Sequence, residues 1–204
     1  MSHRFTLQLL RMKCIHEAIG EWGKDEMNLF GFAISRRGHL FSTGYRGLGS
    51  YGEGDEKSTG IFPMMLFDAE LEDDGLEVIL YLWLVEEDSG GVKGSAVSLE
   101  AEMREAYREQ ATRLLEIRFP RDCIPFTAFY KAVLPFKGSI AEASTDGVNN
   151  DELYEPFDIL LDYQATGASF LESSREFSLQ GSKNAGHYVL TFRLGYKKIP
   201  ELFA

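Results

Sequence analysis

Apolar residues follow two rhythms along the chain. Residues 76–85, LEVILYLWLV, are apolar almost without interruption and rich in β-branched and aromatic side chains, which predicts a central strand covered on both faces. Residues 187–196, HYVLTFRLGY, alternate instead, with Tyr188, Leu190, Phe192 and Leu194 on one side, the period of two expected of a half-buried strand. Residues 5–15 carry Leu7, Leu9, Leu10, Met12, Cys14 and Ile15, a mixture that predicts a strand with both faces at least partly covered. Further extended segments are expected over 27–34, 61–71, 157–163 and 174–179.

A helical rhythm occurs over residues 98–118. Leu99, Met103, Ala106, Tyr107, Ala111, Leu114 and Leu115 recur at steps of three and four, with Ser98 as N-cap and Pro120 as stop. Residues 126–136 are apolar but flanked by Pro125 and Pro135, so they make a poor central strand and fit either a short strand or a second helix. Together these segments predict a mainly β fold, an antiparallel β-sandwich with one inserted amphipathic helix over about 98–118. With 204 residues the chain is long enough to bury one core, so a single domain over 1–204 is expected, with 91–148 as a helix-containing insertion.

Turn chemistry limits the choice of function. Residues 39–60 hold Gly44, Gly47, Gly49, Gly52, Gly54 and Gly60 and predict one long, turn-rich connection. Gly47, Gly49 and Gly52 spell G-x-G-x-x-G, but no clear strand precedes them and no amphipathic helix follows, so the dinucleotide-binding context is missing. Lys57-Ser58-Thr59 lacks the glycine that precedes the lysine of a phosphate-cradling loop. The four histidines, His3, His16, His39 and His187, form no i, i+4 pair and have no local partner for zinc. Cys14 and Cys123 stand far apart in apolar surroundings and are expected to be buried thiols.

Charge narrows the partners. A formal net charge of −11 opposes a nucleic-acid partner, because phosphate binding relies on lysine and arginine, and opposes an anionic membrane unless metal ions intervene. No signal-peptide pattern and no apolar run of spanning length is present, so a cytoplasmic location is expected.

Acidic clusters recur at expected strand ends, in residues 21–26, 86–88 and 150–152. A first strand, a loop ending in Gly23-Lys24-Asp25, a strand ending in Glu86-Glu87-Asp88 and an Asn150-Asp151-Glu152 cluster resemble the calcium-and-lipid-binding β-sandwich of the protein kinase C type and its bacterial relatives. The resemblance implies Ca²⁺ ligands at Asp25, Glu86, Asp88 and Asp151, with residues 91–148 as an insertion in the third loop. Ca²⁺ takes six to eight oxygen ligands, carbonyls and waters included, so four carboxylates from three loops would suffice. No nucleophile, base or cofactor motif keeps its context, and no Gly-x-Ser-x-Gly elbow occurs. The expected function is therefore a non-enzymatic interaction or structural module, a subunit of a larger protein assembly with protein partners or self-assembly, with Ca²⁺ as its one candidate cofactor. A Ca²⁺-dependent binder of lipid or glycan is the first alternative, and a carboxylate-based glycan hydrolase the second.

Overall fold

The computed structural model describes residues 2–17, 25–58, 64–72, 77–87, 92–133, 152–154, 157–162, 170–181 and 186–199. The chain is mainly β, with two antiparallel sheets and helices inserted after the seventh strand, as expected of an antiparallel β-sandwich with a helical insertion. In order, the elements are β1 (Ser2–His16), β2 (Asp25–Ser35), β3 (Leu40–Ser42), β4 (Arg46–Tyr51), β5 (Glu56–Ser58), β6 (Met64–Glu72), β7 (Glu77–Glu86), α1 (Val92–Glu116), α2 (Ile124–Val133), β8 (Glu152–Leu153), β9 (Phe157–Asp162), β10 (Phe170–Gln180) and β11 (His187–Ile199). They group into two compact units, which follow the two sheets closely.

In the first unit the strand order is β10-β11-β1-β5, with β6 also paired to β1. β1 is its axis, matched along its length by β11 and on its other edge by β6 and then β5. The mixed apolar pattern of β1 has a local cause. The register slips between Leu9 and Arg11, so Leu10 is an extra residue that shifts the alternation by one position. His3, Phe5, Leu7 and Leu9 are buried before the bulge, and Met12 and Cys14 after it. β1 thus has one core face, and Leu10 and Ile15 are only half-buried. On that face the His3 Nδ1 lies 2.6 Å from the Tyr196 hydroxyl.

In the second unit the order is β3-β2-β7-β8, with β4 also on β2 and β9 also on β7. β7 is buried from Val78 to Glu86, as its unbroken apolar run predicts. One face of the β2–β7 pair presents Phe30, Phe32, Ile34, Ile79, Tyr81, Trp83 and Val85, which pack with Met103 of α1 and with Phe129, Ala132 and Val133 of α2. Trp83 stacks on Phe30 with centroids 5.3 Å apart. Burying one such side chain is worth about 1.5–3 kcal/mol relative to exposure. Gly31 is required where the strands meet, because a Cβ there would sit 2.2 Å from the Tyr81 carbonyl oxygen.

The helical insertion departs from the sequence expectation at both ends of α1 and at Leu115, and it resolves the choice left open over 126–136. α1 starts at Val92, running through Gly94 and Ser98 rather than being capped at Ser98, and it ends at Glu116. Its stop is a Schellman motif, in which Phe119 N–H donates to the Leu114 carbonyl and Arg118 N–H to the Leu115 carbonyl, both at 3.0 Å. Leu115 falls off the packed stripe and is exposed, whereas Met103 and Leu114 are buried. A second helix forms over Ile124–Val133, because Pro125 is tolerated in a first helical turn and buried residues fall four apart at Ile124, Ala128, Ala132 and at Pro125, Phe129, Val133. Arg104 ties α1 to the sheet by donating to the Leu40 carbonyl at 3.4 Å.

Two smaller expectations are also corrected. The glycine-rich stretch is not one connection, since β3, β4 and β5 lie within it and Gly44, Gly49 and Gly54 supply positive φ at the bends between and within them. Cys14 is buried, but Cys123 is exposed, because it sits in the turn before α2 rather than on a packed element.

Candidate functional site

The acidic residues of the second sheet are arranged by one register. Glu87 N–H donates to the Glu26 carbonyl at 2.8 Å, which sets the start of β2 against the end of β7. In an antiparallel pair directly opposed residues share a face, so Met27 faces Glu86 and Asp25 falls on that same face, two positions along. A diagonal of this kind separates the two positions by about 7–8 Å. Both side chains are buried, Asp25 with 2% and Glu86 with 0% of its surface exposed. Two of the four expected Ca²⁺ ligands are thus brought to one end of one sheet face. Asp88 and Asp151 lie outside the described residues. β8 brings the backbone of Glu152 opposite Glu86. Among the described residues, no group of three or more His, Cys, Asp or Glu side chains is placed to hold a metal ion.

The opposite face of the same strand ends carries a polar network that sequence reading missed. Asn28 Nδ2 donates to Glu87 Oε2 at 3.1 Å and to the Glu26 carbonyl at 3.3 Å, and the Tyr45 hydroxyl donates to the same Glu87 oxygen. Tyr45 arrives from the bend between β3 and β4, which Gly44 makes with a φ of +70°. Beside it is a small, partly open cavity of about 90 Å³ bounded by Phe30, Phe32, Ser42, Tyr45 and Glu100. The signal that separates Glu86 from Glu87 is parity, which becomes readable only once the β2–β7 register is known.

A serine–histidine contact of the nucleophile-and-base kind occurs on the first sheet. Ser178 Oγ and His187 Nε2 are 2.7 Å apart on the exposed face of the first sheet. No described carboxylate is bonded to His187, and neighbouring side chains on that face are occupied in ion pairs such as Arg193 with Glu172 and Arg11 with Glu56. The third group that orients the base in a catalytic triad is thus not supplied by the described residues.

No family model matches the chain. No curated protein matches it either. The likeness to the calcium-and-lipid-binding sandwich therefore rests on the acidic motifs alone. No helix among the described residues is long and apolar enough to cross a membrane.

Proposed function

We propose that the protein is a non-enzymatic interaction module that joins a larger assembly through the open edge of its first sheet. The observation that carries this reading is β10. It ends the strand order and pairs in unbroken register over Phe170–Gln180 with β11 alone among the described residues. Ser173 and Arg175 stand opposite the buried Leu194 and Phe192, yet both are exposed, as are Glu172, Ser174 and Glu176 on the other face. A strand exposed on both faces over this stretch contributes little to the core there. Its other edge, unpaired among the described residues, instead presents a row of backbone donors and acceptors, the template that a partner strand extends. Arg175, turned toward the core side, is the kind of charge that blocks uncontrolled edge pairing while leaving a matched partner acceptable.

Proline substitution tests the reading. Alternate residues of an edge strand point N–H outward, so one of Ser173→Pro and Ser174→Pro removes an outward donor and the other removes a bond to β11. The outward variant is expected to keep the melting temperature and lose the co-purifying partner. Retention of the partner by both variants would remove the proposal.

A second reading, Ca²⁺-dependent binding of lipid or glycan, is favoured by one observation: Asp25 and Glu86 share a face at one strand end. It calls for Asp88 and Asp151 to complete the oxygen shell.

A further inference from the structure

The exposed face of the first sheet also places two histidines side by side. The β1–β11 register sets His16 directly opposite His187, just past a second irregularity that follows Cys14. Directly opposed residues in an antiparallel pair have Cβ atoms about 4.5–5.5 Å apart and point to the same side, a spacing that two imidazoles bridged by one metal ion can occupy. His16 is largely exposed and His187 half-buried, so neither ring is committed to the core.

Each ring has an oxygen beside one nitrogen, within hydrogen-bond reach for His187 and at ion-pair distance for His16. His187 Nε2 is 2.7 Å from Ser178 Oγ, and His16 Nδ1 is 3.7 Å from Glu53 Oε1. Metal-binding histidines characteristically give their second ring N–H to such an oxygen, which fixes the tautomer and turns the other lone pair toward the metal. With Nε2–H donating to Ser178, His187 presents Nδ1. With the Glu53 carboxylate on the Nδ1 side, Nε2 is the nitrogen that His16 leaves to the metal.

We propose that His16 and His187 form a two-imidazole site for a borderline divalent transition-metal ion of the zinc or copper class, with Ser178 and Glu53 as positioning residues. Water completes the coordination, since no third ligand converges among the described residues. The donor set is nitrogen and therefore separate from the oxygen chemistry that Ca²⁺ selects.

The test is calorimetric titration of the full, untagged chain with Cu²⁺ and with Zn²⁺, before and after addition of excess Ca²⁺. Expected are one saturable site per chain, tighter for Cu²⁺ than for Zn²⁺ and indifferent to Ca²⁺, and loss of saturable binding in both His16→Ala and His187→Ala. Ser178→Ala and Glu53→Gln are expected to weaken binding 10- to 100-fold, the usual effect of removing an outer partner. Metal-free melting temperatures of all four variants are expected to match the parent, because the substituted side chains are not core residues. Unchanged affinity in either histidine variant, or equal affinity in the parent and the His16→Ala/His187→Ala double variant, would overturn the proposal.

Discussion

Asp25 and Glu86 lie on the same face of the β2–β7 pair because Glu87 N–H reaches the Glu26 carbonyl at 2.8 Å. Their neighbours Glu26 and Glu87 consequently point to the other face, where Glu87 accepts from Asn28 and Tyr45. One backbone bond thus decides which carboxylates of two acidic strand ends can act together.

If Asp25 and Glu86 contribute to a Ca²⁺ site, thermal melts show it. Calcium at 100 times its Kd would stabilise the native state by about 2.7 kcal/mol. The shift is expected to vanish in Asp25→Asn and in Glu86→Gln, each of which preserves shape while removing charge. A parent melting temperature that ignores millimolar Ca²⁺ would remove the calcium reading and leave the edge-strand reading untouched.

Gly31→Ala is expected to be costly. Its new methyl group would meet the Tyr81 carbonyl at 2.2 Å, and backbone cannot move aside as a flexible side chain can. Overpacking of this kind costs about 1–3 kcal/mol, and chemical denaturation should place this variant toward the upper end.

Arg118→Gly is expected to stabilise. Arg118, just past the end of α1, has a φ of 55°, a left-handed conformation disfavoured for side chains with a Cβ and natural for glycine. After allowance for the greater freedom of glycine in the unfolded chain, a gain of about 0.5–1 kcal/mol is expected. A loss of stability in the same denaturation measurement would contradict the Schellman assignment.

Tyr51 supplies a pH dependence with a definite sign. Burial, and secondarily the Asp55 carboxylate, push its hydroxyl up from 10.0 to about 12. The folded state therefore holds this proton more tightly than the unfolded state, and the contribution is whole below pH 10 and lost as pH rises toward 12. Spectrophotometric titration should show a tyrosine step near pH 12, and Tyr51→Phe should remove that step and flatten the alkaline limb of the stability curve.

What the sequence reveals and what it conceals follow from the range of the interactions. β7 and β11 are legible because burial on both faces or on one face writes itself directly into apolar periodicity, and α1 is legible from its stripe through Met103 and Leu114. The one-faced character of β1 is hidden by the extra residue Leu10, which makes two clean alternations read as a mixture. α2 is obscured by Pro125, which argues against a strand but sits where a helix tolerates it. The candidate sites are concealed for a stronger reason. The pairing of Asp25 with Glu86, of Asn28 with Glu87, and of His16 with His187 each depends on a register between strands distant in sequence, and a one-residue slip would send every one of these side chains to the opposite face.

Hydrogen exchange along β10, with the chain free and in its assembled state, tests the central claim most directly. If the module docks by extending its first sheet, amides of Phe170–Gln180 that point away from β11 exchange fast in the free protein and become protected in the assembly. Unchanged exchange along β10, with protection gained elsewhere, would contradict the account.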